Sequence, residues 1–113
     1  MIISRVLADG ARNHTIQFSG IMEKNVFDPK ELMKWDRPYP PKIGSVLWLI
    51  QEKMGIHLWW DKETPLFPME SRNSMRFDTA LQPPDGWKGV FYYDTFGVVD
   101  SPKHFMFILD IDK

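Results

Sequence analysis

Histidine and carboxylate side chains that could bind a metal or transfer protons occur together around residue 60. In an extended chain, His57, Asp61 and Glu63 share one face, because alternate side chains of a strand point the same way. Four residues of strand span about 13 Å, so His57 and Asp61 cannot converge on one ion through bonds of about 2 Å. A metal site here would need ligands from different strands.

A second group of such residues lies near the end of the sequence, where Asp110 and Asp112 follow His104 on the same strand face. The two carboxylates lie about 7 Å apart along an extended chain, close enough to share a hard cation or to form a general acid–base pair. The competing interpretation is a solvated end of the chain. Spacing alone does not decide whether either aspartate meets His57 or His104.

Nucleophilic and nucleotide chemistry have no supporting motif. Ser101 precedes His104 by three residues, but a catalytic triad also needs an orienting carboxylate and an oxyanion site, and no G-x-S-x-G sequence occurs. His14 likewise permits acid–base chemistry without indicating it. With no cysteine there is no thiolate, and the seven glycines form no phosphate-binding motif. The sequence therefore assigns no catalytic residue, no metal ligand and no cofactor.

Aromatic residues are the most distinctive feature of the composition: five tryptophans, three tyrosines and eight phenylalanines. Adjacent Trp59 and Trp60 must point to opposite faces of a strand, so one of them can face outward. Outward aromatic rings beside proline-rich loops are typical anchors of protein interfaces, and the alternative is that they serve the domain's own core or rim. We predict a core position for Trp48 and Trp60. The predicted binding residues are Tyr39, Trp59, Trp87 and Tyr92.

Charge and hydropathy argue against several partner classes. The formal net charge is −1, and the half that holds most strand aromatics, residues 57–113, carries 6 Lys and Arg against 9 Asp and Glu, which argues against a nucleic-acid partner. No apolar run approaches the ~20 residues of a membrane span, and the apolar start is too short for a signal peptide. We therefore expect a single cytoplasmic domain over residues 1–113, with no membrane partner.

Two segments carry helix patterns. Asp28 suits an N-cap, Pro29 the first helical position and Glu31 the capping box, which predicts a short helix to about Trp35. Apolar residues recur at helical spacing from Lys42 to Met54, which predicts a helix over residues 45–54. The alternative for the second segment is a buried strand at residues 46–50, because that run is continuously apolar.

Most remaining segments have strand patterns. We predict an N-terminal hairpin over residues 1–22 and further strands at 56–60, 75–81 and 104–112, with a long irregular loop after residue 60. Residues 89–94 and 96–100 form either a hairpin or one bulged strand. The predicted fold class is α+β: a mainly antiparallel sheet of five to six strands with two helices packed on one face.

Three functional hypotheses follow. The first is a small non-catalytic module that binds another protein, such as an inhibitor, an immunity-type or a virus-encoded factor. The alternative is a metal-dependent enzyme that uses His and Asp residues from neighbouring strands. The third is a structural subunit that self-associates into a homo-oligomer through the same aromatic residues.

Overall fold

The computed structural model describes residues 2–22, 26–51, 53–70, 72–97 and 102–112, and every regular element in these ranges is a β-strand. The predicted α+β class, with two helices on one face of a sheet, is therefore wrong. The strands are β1 (Ile2–Asp9), β2 (Asn13–Met22), β3 (Val26–Lys34), β4 (Lys42–Ile50), β5 (Met54–Trp59), β6 (Pro65–Glu70), β7 (Arg72–Leu81), β8 (Val90–Gly97) and β9 (Lys103–Asp112).

The strands form two antiparallel sheets. The five-stranded sheet has the order β1-β2-β9-β4-β7, and the four-stranded sheet has the order β3-β8-β5-β6. Buried side chains from both sheets join in one apolar core, in which Phe18 and Phe107 stack with ring centroids 5.0 Å apart. The molecule is thus a β-sandwich whose interior is filled by its own side chains.

Strand alternation correctly predicts the N-terminal hairpin and the last strand. β1 pairs with β2, and β9 lies between β2 and β4 at the centre of its sheet. The predicted inward set on β9 is buried: Phe105, Phe107, Leu109 and Ile111. Burial of each such side chain stabilises the fold by roughly 1.5–3 kcal/mol.

The predicted helix over residues 45–54 is wrong, and the alternative of a buried strand is confirmed. The pairing of β4 with β9 shifts between Ile43 and Ser45, so Ile43 and Val46 both face the core although they are three residues apart. This bulge changes the phase of the alternation and produces the spacing that resembles a helix. Beyond it, Trp48 and Ile50 are buried while Leu47 and Leu49 face outward.

The predicted helix from Asp28 to Trp35 is also wrong, because this segment is the edge strand β3. Its pairing with β8 is interrupted between Val26 and Lys30, around Pro29. A proline has no N–H to give to a neighbouring strand, and an edge strand with a bulge tolerates that loss. The pairing supplied by β8 therefore outweighs the local capping pattern.

The predicted strands at 56–60 and 75–81 are present as β5 and β7, but the predicted long loop after residue 60 is interrupted by β6. β6 is the other edge of the four-stranded sheet, which explains how it contains Pro65 and Pro68. The predicted hairpin of residues 89–94 with 96–100 is wrong, because β8 continues through Thr95 to Gly97 as one strand; residues 98–101 lie outside the described ranges. In the part of the chain that the structure describes, no helix has the length and apolar character needed to cross a membrane.

Candidate functional site

The candidate site lies on the outer face of the four-stranded sheet. Ile56 and Leu58 of β5 are buried in the core, so the residues between them point away from it. The register places His57 opposite Asp94 and Trp59 opposite Tyr92 on β8. We call this surface the dyad face; its members are His57, Trp59, Tyr92, Asp94 and Phe96.

His57 and Asp94 form a hydrogen-bonded pair across the two strands. The imidazole Nδ1 lies 2.8 Å from Asp94 Oδ1, and Trp59 Nε1 donates to Asp94 Oδ2 at 2.7 Å. The Asp94 side chain is 11 % exposed, whereas that of His57 is 40 % exposed. The carboxylate is therefore covered and held from two sides, while the imidazole remains accessible.

The carboxylate also determines how the imidazole is protonated. An ionised carboxylate can only accept hydrogen bonds, so Nδ1 must carry the proton that joins the pair. In a neutral imidazole the other nitrogen, Nε2, is then a hydrogen-bond acceptor. The dyad thus presents a proton acceptor of fixed orientation on a side chain that is partly exposed.

Two aromatic rings hold the imidazole in place. Phe96 stacks on His57 with centroids 4.5 Å apart and planes 19° apart, and Trp59 meets His57 edge-on at 6.2 Å. The Phe96 ring occupies the space above Gly55, where a Cβ would overlap it. Glycine at position 55 therefore makes room for the ring that packs against His57.

The cleft beside the dyad face has a volume of about 280 Å³. It lies where the β5–β6 loop and the connector before β8 approach each other, and Tyr92 belongs both to its wall and to the dyad face. Its other aromatic walls are Trp60 and Trp87, which meet edge-on with centroids 5.5 Å apart. The charged residues that line it are Asp61, Lys62, Glu63 and Lys88.

Three of the four predicted binding residues lie in this region. Trp59 and Tyr92 are opposite each other on the dyad face, and Trp87 lines the cleft. Tyr39 lies apart from them on the β3–β4 connector, where it packs edge-on against Trp35. Trp48 and Trp60 are buried, as predicted. Whether the first three residues bind a ligand stays a prediction.

The predicted acidic pair lies elsewhere. Asp110 and Asp112 are on the outer face of the five-stranded sheet, where Asp110 accepts hydrogen bonds from Asn13 Nδ2 at 2.9 Å and Thr15 Oγ1 at 3.2 Å. His57 is on the other sheet. Among the described residues, no three His, Asp or Glu side chains lie close enough together to hold a metal ion. The acidic pair therefore does not form the predicted site with His57.

The other two histidines contribute to neither the dyad face nor the cleft. His104 is exposed at the end of β9 opposite to Asp110. His14 is buried beside Asp9, with Nδ1 3.2 Å from Asp9 Oδ1, and its ring meets Trp35 edge-on. Ser101 lies outside the described residues.

Sequence reasoning missed Asp94 and Phe96. The spacing of Tyr92, Asp94 and Phe96 places all three on one strand face, so a carboxylate between two aromatic rings could have been noticed. What could not be read from the sequence is that β8 pairs with β5, because nothing in the spacing joins strands more than thirty residues apart.

Comparison with known proteins assigns no family. No protein-family model and no curated protein sequence matches the chain. A cupin superfamily protein from Desulfitobacterium hafniense DCB-2 is similar in structure, with a TM-score of 0.41 and 15 % identity over 99 % of this chain and 79 % of that one. Cobalt(II) HppE in complex with Tris buffer has a TM-score of 0.46 and 10 % identity, over 96 % of this chain and 52 % of that one. Iron(II) HppE has a TM-score of 0.40 and 10 % identity, over 87 % of this chain and 43 % of that one.

The chain thus spans about half of HppE or less. Both HppE structures are named with a bound metal, and the comparisons give no support to the predicted inhibitor. Likenesses with TM-scores below 0.5 assign neither a metal nor an activity to this chain.

Proposed function

We propose that this protein is an enzyme for a small-molecule substrate, in which His57 takes up a proton at Nε2 and the aromatic rings of the dyad face hold the substrate. The observation that carries the proposal is the position of Asp94. Its side chain is 11 % exposed, and its two oxygens are engaged by His57 and Trp59. A carboxylate placed in this way orients an imidazole for general acid–base catalysis.

The surroundings of the dyad support a catalytic role over a purely structural one. Although its Nδ1 is bound to Asp94, the His57 side chain is 40 % exposed, so a small molecule can reach the imidazole. The aromatic rings beside it offer flat apolar surfaces to a substrate, and the cleft at Tyr92 offers a concave one.

A metal ion is not part of this proposal. A histidine whose Nδ1–H binds a carboxylate is also the usual form of a metal ligand, so the dyad could supply one ligand through Nε2. The described residues place no second and third ligand beside it. Metal analysis of the purified protein checks this directly, and a stoichiometric metal that is lost in His57→Gln would replace our proposal with the metal-dependent one.

The hydrolysis of 4-nitrophenyl acetate tests the proposed base. In this reaction His57 Nε2 removes a proton from water as the water oxygen bonds to the acyl carbon; 4-nitrophenolate then leaves with the electron pair of the broken ester bond. A general base contributes about 10²–10⁴-fold, so we expect His57→Gln and Asp94→Asn to lose most of the protein-dependent rate.

His104→Gln is the matched control, because it removes an exposed histidine that lies outside the dyad face. It should keep the wild-type rate. Equal rates in wild type and a folded His57→Gln variant would refute the proposal.

Binding of another protein, or of a second copy, is not tested by the structure and stays a second candidate. The observation that favours it is the exposure of large apolar side chains on the five-stranded sheet, with Ile3 at 62 %, Leu47 at 46 % and Leu49 at 42 %. Sedimentation over a range of concentrations would detect self-association through this face.

A further inference from the structure

The cleft beside the dyad face contains flat apolar walls. Trp87 donates its indole N–H to the carbonyl oxygens of Trp60 at 2.5 Å and Val90 at 3.1 Å. Its only polar atom is therefore used within the chain, and the ring is fixed against Phe91 with centroids 4.9 Å apart. An indole whose N–H is already used can offer a ligand only apolar contact, which suits another aromatic ring.

The four charged residues that line the cleft carry no net formal charge, but they differ in how far their polar atoms are already hydrogen-bonded within the chain. Asp61 Oδ1 accepts from the backbone N–H of Glu63 at 2.8 Å and of Thr64 at 2.7 Å, and Oδ2 accepts from Thr64 Oγ1 at 3.2 Å. The hydrogen bond from the Glu63 N–H is the largest cause that lowers the pKa of this carboxyl below 3.8. Both Asp61 carboxylate oxygens are thus hydrogen-bonded within their own loop.

Three charged side chains at the cleft then remain to meet a ligand: Lys62, Lys88 and Glu63. Two of these three groups are ammonium donors and one is a carboxylate acceptor, which suits a ligand that brings an anionic acceptor such as a carboxylate. The Lys62 ammonium lies 5.8 Å from the centroid of the Tyr92 ring, so cation and aromatic wall are adjacent. An anionic group attached to a flat ring could contact both at once.

The cleft adjoins the dyad face, because Tyr92 belongs to both. Tyr92 is opposite Trp59, and the next pair on the same face is His57 with Asp94. Two residues along a strand correspond to about 7 Å, so a ring seated beside Tyr92 lies about that far from His57.

We infer that this cleft is a binding site for a planar ring that carries a carboxylate, with Trp87 and Tyr92 contacting the ring and Lys62 and Lys88 the charge. If the cleft is the substrate site, the substrate is an aromatic carboxylate whose reacting group extends toward His57. This role rests on the function proposed above. The binding itself does not depend on His57.

The test compares 1-naphthoate with its neutral amide, 1-naphthamide, by calorimetry and by the NMR shift of the Trp87 indole N–H. We expect naphthoate to bind more tightly, to move that resonance and to weaken as salt is raised. Lys62→Met/Lys88→Met should weaken naphthoate binding about fivefold and leave the amide unchanged, since each exposed ionic contact contributes little.

Arg12→Met/Lys30→Met is the control, because it removes two charges from exposed positions that do not line the cleft. It should bind naphthoate as the wild type does. The inference is overturned if naphthoate binds no better than the amide, or if the two cleft lysines can be replaced without effect.

His57→Gln separates this inference from the proposed function. Intact naphthoate binding together with unchanged ester hydrolysis in this variant would retain the binding site and remove the catalytic proposal. Loss of hydrolysis in His57→Gln, with no naphthoate binding to the wild type, would retain the catalytic proposal and remove the binding site.

Discussion

Trp59 donates its indole N–H to Asp94 from the same strand that carries His57, so two neighbours in β5 share one carboxylate of β8. The indole thereby fixes the oxygen that His57 does not use. This relationship makes Trp59 a positioning residue for the imidazole in addition to a wall of the dyad face.

Trp59→Phe should keep an aromatic ring while removing this donor. A hydrogen bond to a charged group contributes about 1.5–3 kcal/mol, so we expect a loss of stability in that range together with slower ester hydrolysis and a less fixed imidazole. Urea denaturation, the rate assay and the NMR tautomer signature of His57 measure the three effects. Trp35→Phe, which removes a donor to the Tyr39 carbonyl, is expected to lower stability alone.

Gly55→Ala should displace Phe96 from His57. The new Cβ overlaps the far end of the Phe96 ring, so the ring must turn away and the stack on His57 is lost. Overpacking of this kind costs about 1–3 kcal/mol. The ring-current shift of the His57 carbon-bound protons reports the change.

Gly10→Ala is the comparison for this variant, because its Cβ would come no closer than 3.8 Å to the Asn13 carbonyl oxygen. It should leave the His57 resonances where they are. Unchanged resonances in Gly55→Ala as well would contradict the packing described for Phe96.

Thr95→Val should stabilise the protein. Thr95 is 3 % exposed in the core, and its hydroxyl has no hydrogen-bond partner among the residues that the structure describes. Such a group costs roughly 1–3 kcal/mol to bury, and valine has nearly the same shape, so we expect a gain of about 1 kcal/mol in urea denaturation. Thr64→Val should lower the stability, because the Thr64 hydroxyl donates a hydrogen bond to Asp61.

Tyr93 should make the stability of the fold sensitive to alkaline pH. Burial raises the pKa of its phenol above 10.0 in the folded protein. As the pH rises past 10, the unfolded chain loses this proton while the folded chain keeps it, so unfolding becomes more favourable. The protonated Tyr93 phenol therefore makes its full contribution to stability below the pKa of the unfolded chain, and that contribution is lost as the pH rises through the pKa of the folded protein.

Tyr93→Phe removes that dependence. The free energy of unfolding, measured between about pH 8 and 11, should fall less steeply in the variant than in the wild type. Parallel curves would show that Tyr93 does not titrate differently in the two states.

The strands that could be predicted include β2 and β9, in which buried and more exposed side chains alternate. β4 was misinterpreted because a bulge after Ile43 shifts the alternation and imitates a helical period. β3 was misinterpreted because a capping pattern at Asp28 is a local preference, whereas pairing with β8 is decided by residues some sixty positions away. Local patterns contain neither bulges nor strand order.

The same limit applies to the candidate site. His57, Trp59 and Tyr92 could be selected from residue type and parity, since each of them is next to an apolar or aromatic residue that can face the core. Asp94 could not be assigned to His57, because that needs the register of β5 with β8. The sequence instead suggested Asp110 and Asp112, which share a strand pattern with His104 but lie on the other sheet.

The central position of β9 has a consequence for how the chain is made. Both of its neighbours, β2 and β4, leave the ribosome before it does, and neither can complete its sheet until residues 103–112 are available. Until then, apolar side chains of β2 and β4 that β9 will cover stay exposed to water. Folding should therefore be late and dominated by contacts between distant parts of the chain, which leaves the nascent protein open to aggregation until β9 joins its sheet.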